Sequence, residues 1–300
     1  MFQKAARLDH RMCGFVFAGI VPLLVLFEAR ESTMNEVGFH EEFTRLRLRY
    51  AALKEQVANQ IELYAHLAET EGPNIEAQYM MCVGRLECQV MRLKMEVLRW
   101  KRRFELRQAY LNRGEKPDIV AIEAQLDLEF AAWREKFESM VSRLNDSKLW
   151  FDAAKMSETD TNAIRCEYLK AVKKLHPDLN KDLSEAAVNL WNQIQKAYAE
   201  QNWKQLRFLV SLVDEVVAGR ESFDETPDGL AELRDECKRL ETKSQEVAAQ
   251  IAELKAHAPF TYLVLLEDPE LLERKQKALN RKIEGLKAAI EAYEKEWNNG

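Results

Sequence analysis

Three hundred residues suffice for about two domains of ordinary size. With 10 Gly and 7 Pro to punctuate it, the chain excludes a sheet protein with frequent turns and points to long helices. A net charge of −6, with 31% charged residues of interspersed sign, sets up no global field for a polyanion.

The first element is an apolar run of 16 residues, Met12 to Phe27, preceded by Lys4, Arg7 and Arg11. As a helix it would reach about 24 Å, short of the roughly 30 Å hydrocarbon core of a bilayer. Gly14, Gly19 and Pro22 interrupt it, and Phe27-Glu28-Ala29-Arg30 makes a poor cleavage site. Three readings stay open for residues 1–33: sequence upstream of a true start at Met34, a membrane anchor, and a signal peptide or buried helix.

From Glu36 the pattern is helical. Phe43, Leu46, Tyr50, Leu53, Val57, Ile61 and Tyr64 alternate steps of three and four, one apolar stripe that Gly72-Pro73 is expected to stop. A second stripe runs through Tyr79, Val83, Leu86, Val90, Leu93, Val97, Trp100 and Phe104 to Gly114 and Pro117. A third takes Ile119, Ile122, Leu126, Phe130, Trp133, Phe137, Met140 and Leu144. Three such helices predict an antiparallel bundle or coiled coil over 34–146.

Residues 147–217 predict a separate unit of shorter helices with a sharp central turn, and 218–229 a breaker-rich linker. Beyond it Leu230, Leu233, Cys237, Leu240, Ser244, Val247, Ile251 and Leu254 form a heptad stripe. A second heptad follows at Leu272, Leu279, Ile283, Leu286, Ile290, Tyr293 and Trp297, after an interruption at His257 to Phe260. Residues 230–300 therefore predict an antiparallel coiled-coil hairpin. The apolar stretch Phe260 to Leu266 is expected to pack over its tip, with an exposed contact patch as the alternative. The fold class is all-α.

Function concentrates in Tyr168 to Asn180. Tyr168, Ala171, Val172 and Leu175 share one helix face, and Arg165, Lys170, Lys173 and Lys174 fall largely off it. Pro177 disfavours helical geometry at His176, and Asp178 and Asn180 are turn formers. Ala187, Trp191, Ile194 and Tyr198 then supply a facing stripe. The pattern is a basic helix, a polar turn and a second helix packed back on the first.

At these residues the chain resembles the J domain of DnaJ-type co-chaperones, over about residues 147–212. The resemblance rests on His176-Pro177-Asp178, a Tyr eight residues before the His, the basic helix between them, Asn180, and the run from Trp191 to Tyr198. It implies that His176, Pro177 and Asp178, with Asn180, dock on a DnaK-type ATPase. It also implies that Arg165, Lys170, Lys173 and Lys174 face an acidic surface there. A J protein does no bond chemistry; it stimulates its partner's ATP hydrolysis. Clients, targeting or self-association would fall to the coiled coils. Location would be cytoplasmic, or membrane-anchored where residues 12–27 are an anchor.

The chain departs from the family pattern at both ends of the unit. Leu149-Trp150-Phe151-Asp152 stands in loosely for the usual first-helix opening, and Asn202 to Leu206 replaces the usual close. A rival reading follows: an adaptor whose hairpin no longer couples to a chaperone. Trp150 and Phe151 packing under Tyr168 and Tyr198 would count against that rival.

Other chemistry finds little support. Phosphate loops and hydrolase motifs are missing, and the five histidines lack ligand spacing, so no enzyme activity, cofactor or metal is expected. Cys13, Cys82, Cys88, Cys166 and Cys237 are scattered and unpaired in spacing, and are expected as buried thiols. The basic cluster Arg99 to Arg107 is expected as a solvated face around core Trp100 and Phe104, so nucleic acid is not expected as a partner.

Overall fold

Among the described residues the backbone is helical from Glu36 to Asn112. A computed structural model describes residues 36–152, 157–217 and 223–299, and every regular element among them is helical. The protein is thus all-α; the apolar run at 12–27 lies outside the described residues.

Helix α1 (Glu36–His66) passes through a π turn (Leu67–Glu71) into α2 (Gly72–Tyr79). A second π turn (Met80–Gly84) then leads into α3 (Arg85–Asn112). Gly72-Pro73 does not stop the helix. Proline lacks an N–H and crowds the carbonyl four residues back. Widening the preceding turn, with the Gly72 N–H bonded to the Leu67 carbonyl, carries the ladder past it. Gly72 also admits a close neighbour: a Cβ there would lie 3.1 Å from the Leu67 oxygen and 3.6 Å from Pro259 Cγ.

A turn with Gly114 at φ 72° reverses the chain. Helices α4 (Ile119–Glu129) and α5 (Ala131–Asp152), separated at Phe130, pack back along α3 and α2. Ile122 and Leu126 are fully buried, but Ile119 and Trp133 of the expected stripe are exposed. Next come α6 (Glu158–Leu175), α7 (Glu185–Ala199), α8 (Trp203–Ser211) and the short α9 (Val213–Val216), set beside α1.

Helix α10 (Pro227–Ala256) starts inside the expected linker, capped by Thr226. A 3-10 turn (Phe260–Tyr262) and α11 (Leu263–Leu266) lead into α12 (Pro269–Asn299). Both heptad stripes are real, with Leu233, Leu240 and Ile283 buried, but the expected hairpin between them is not formed. Helix α10 pairs with α1, and α12 with α3.

Both pairings are parallel. Arg234 meets Glu42, Cys237 meets Leu46, Arg49 meets Glu241, and Gln56 donates to Ser244 Oγ at 2.8 Å. Farther on, Gln276 donates to the Cys82 carbonyl at 2.9 Å, Val90 and Leu93 pack with Ile283 and Ile290, and Trp297 stands 6.0 Å from Trp100. The apolar stretch explains the outcome. Phe260 buries against Leu67 and Ile75, and Tyr262 stacks on Tyr79 at 3.9 Å. That docking sends α12 onward along α3 instead of back down α10.

Candidate functional site

The residues around the central turn form a core of their own. Ser157 and Ser184 cap α6 and α7 through side-chain oxygens that accept from Asp160 and Ala187 N–H. Tyr168, Ala171, Val172, Leu175, Trp191, Ile194 and Tyr198 are all buried, at 3% exposure or less. Tyr168 stacks on Tyr198 at 4.1 Å and on Trp191 at 5.8 Å. Such ring pairs add about 0.5–1.5 kcal/mol each beyond their burial. Leu206 and Leu209 of α8 close one side.

The turn itself is fixed by local hydrogen bonds. His176 leaves α6 in extended geometry (φ −70°, ψ 126°), as a residue before proline must. Its carbonyl accepts from Leu179 N at 2.9 Å and Asn180 N at 3.0 Å. Asn180 Nδ2 donates at 3.2 Å to the Lys173 and His176 carbonyls, satisfying acceptors that the helix end leaves open. The Asp178 N–H donates to His176 Nδ1 at 3.1 Å, so the neutral imidazole carries its proton on Nε2. The ring meets Trp191 edge-on at 5.2 Å. Burial lowers the His176 pKa; the Asp178 charge opposes that shift and the Lys243 charge adds to it.

Sequence reasoning expected Arg165, Lys170, Lys173 and Lys174 to present one basic face. The structure divides them. Arg165 makes a two-pronged pair with Glu62 of α1 at 2.6 and 3.0 Å. Lys173 pairs with Glu55 of α1 at 2.6 Å, Lys174 pairs with Asp214 of α9, and Lys170 is exposed. These pairs differ in weight. Glu62 retains 8% side-chain exposure, so stranding it without Arg165 would be expensive. The Lys173–Glu55 pair, 37% and 53% exposed, contributes about 0–1 kcal/mol and is easily exchanged.

Two neighbours of the turn were not evident from the local motif. From α1, Val57 and Ala58 enter the hairpin core fully buried, and Lys54 donates to Asn180 Oδ1 at 3.1 Å. From α10, Lys243 Nζ lies 2.9 Å from the Asp178 carboxylate, and Arg239 donates to the Asp178 carbonyl at 2.8 Å. Glu236 pairs with Lys181, and Leu240 joins the core. The signal was in the heptad. Glu236 and Lys243 occupy the edge opposite Arg234 and Glu241, and such flanking charges choose a coiled coil's neighbours.

Trp150 and Phe151 are not under Tyr168 and Tyr198. They end α5, where Trp150 Nε1 donates to Asn74 Oδ1 at 3.0 Å and Phe151 is 42% exposed. The span 147–152 therefore belongs to the α2–α5 packing, and α1 supplies the missing face of the hairpin core.

Elsewhere, Arg99 and Arg103 pair with Glu123, Arg102 pairs with Glu129, and Arg103 lies 4.2 Å above Trp100. Those arginines are engaged with α4 and with rings rather than forming a solvated face. Cys88 and Cys237 are buried and Cys82 half-buried, but Cys166 is exposed, contrary to expectation. Among the described residues no group of three or more His, Cys, Asp or Glu is placed to hold a metal. Among the same residues no helix is long and apolar enough to cross a membrane.

Comparison with known proteins adds no relative: no family model, no curated protein and no solved structure matches the chain.

Proposed function

We propose that this chain is a co-chaperone that docks on a DnaK-type ATPase through the His176-Pro177-Asp178 turn and stimulates ATP hydrolysis there. One observation carries the reading. The turn is pre-shaped by its own hydrogen bonds on a stacked Tyr168–Trp191–Tyr198 core, and Pro177 stands exposed at its tip. A rigid, charged turn beside a basic helix suits a weak, salt-sensitive encounter with an acidic surface. The chain itself would do no bond chemistry and need no cofactor. Its location would be cytoplasmic, with the partner.

Clients and targeting fall to the outer faces of the coiled coils. Self-association through the heptad stripes would first have to break the α1–α10 or α3–α12 pairing.

The adaptor reading has an observation of its own. Arg165, Lys173 and Asp178 are engaged by α1 and α10, and Trp150 and Phe151 are absent from the hairpin core. Single-turnover ATP hydrolysis by a DnaK-type chaperone separates the two. Stimulation by the wild type that disappears with His176→Gln supports the co-chaperone. Equal basal rates with both proteins would leave the adaptor.

A further inference from the structure

Asp178 keeps 37% of its side chain exposed, against 15% for His176, yet it is the residue of the turn that α10 holds directly. Its carboxylate lies 2.9 Å from Lys243 Nζ and its carbonyl accepts from Arg239 at 2.8 Å, both from α10. One residue beyond Asn180, Lys181 is tied to Glu236, one turn earlier on the same edge of α10. The opposite edge of that helix is fastened to α1 by Arg234–Glu42 and Glu241–Arg49. Three α10 side chains thus grip the turn from a helix that is itself held in place.

We infer that α10 is an intramolecular latch that withholds Asp178 from the chaperone until Arg239 and Lys243 let go. The inference rests on the co-chaperone reading and adds its regulation. Release needs no unfolding. Arg239 and Lys243 keep 33% and 26% of their side chains exposed, so both can turn to solvent while Leu240 between them stays in the core. An acidic partner surface favours that exchange, because it offers the two cations a new carboxylate while freeing the one on Asp178. The local hydrogen bonds of the turn do not involve α10, so the released turn keeps its shape.

The test uses the full chain. Arg239→Ala/Lys243→Ala is compared with wild type and with Lys238→Ala/Lys255→Ala, which removes the same charge from α10. Single-turnover ATP hydrolysis by a DnaK-type chaperone and hydrogen exchange over residues 175–182 are the readouts. The latch predicts stimulation about five- to twentyfold above wild type for the Arg239/Lys243 variant only. It also predicts little change of exchange in that segment, because the turn's amides stay bonded to His176. Equal stimulation by all three proteins, abolished in each by His176→Gln, overturns the latch and leaves the co-chaperone standing. Weaker stimulation by the Arg239/Lys243 variant also overturns it, by making α10 part of the docking face. No stimulation by any protein removes the co-chaperone reading and the latch with it.

Discussion

The two ends of the long parallel helix pair are built alike and used differently. At the far end, α3 pairs with α12 and carries α4 on another face. Arginines 99, 102 and 103 meet Glu123, Asp127 and Glu129, and Arg103 and Arg107 stack on Trp100 and Trp297. Charge and ring contacts there join one scaffold helix to another. At the near end, α1 and α10 pair by the same heptad logic. Here, however, the outward charges of α10 hold a turn that has its own core and an exposed proline. One set of contacts closes a scaffold; the other holds a loop on a scaffold. The difference lies in what the third element brings, not in the coiled coil.

Core truncation should break the comparison most strongly. Tyr198 is 2% exposed and stacked on Tyr168, so Tyr198→Ala is expected to cost about 3–5 kcal/mol in urea unfolding. Trp297→Ala removes a half-buried ring at the far end and is expected to cost less than half of that.

Next in size is the buried ion pair. Glu62→Gln leaves Arg165 facing a neutral amide and is expected to cost about 1–3 kcal/mol, with local loosening of α6 on α1. The exposed pair Lys173–Glu55 sets the smaller scale, and Lys173→Ala should change stability by less than about 1 kcal/mol.

A pH series sharpens the contrast at the turn. Burial holds the folded-state pKa of His176 below its ordinary value, against the pull of Asp178 and with the push of Lys243. As pH falls below about 6.5 the unfolded chain takes up the proton first. The stability contributed by neutral His176 is therefore fully present above that pH. It is lost as pH drops toward the folded value. The urea midpoint of wild type should fall more between pH 7.5 and 5 than that of His176→Gln. Equal declines would mean that the ring is not buried as a neutral base.

Much of this was legible in the sequence. The stripes identify buried positions because a helix repeats its face every three to four residues. Phe43, Val57, Leu233, Leu240 and the seven hairpin core residues are all inside. The turn was legible because proline and short polar residues act on their own neighbours. Pairing was not. A heptad states that a stripe needs a partner, and five long stripes in one chain allow several solutions. The Phe260–Leu266 stretch, by docking on α2, selected the parallel one. Gly72-Pro73 misled because a π turn bypasses the missing donor, and Trp150 misled because Asn74 offered its indole N–H a partner elsewhere. The holders of Asp178 stand more than 60 residues away in sequence, beyond any local pattern.

The most direct test of a docking turn held by α10 is single-turnover ATP hydrolysis with the latch already opened. In the Arg239→Ala/Lys243→Ala background, adding Asp178→Asn should return a DnaK-type chaperone to its unstimulated rate. Undiminished stimulation by that triple variant would contradict the account, because the turn would then not be the surface through which the protein acts.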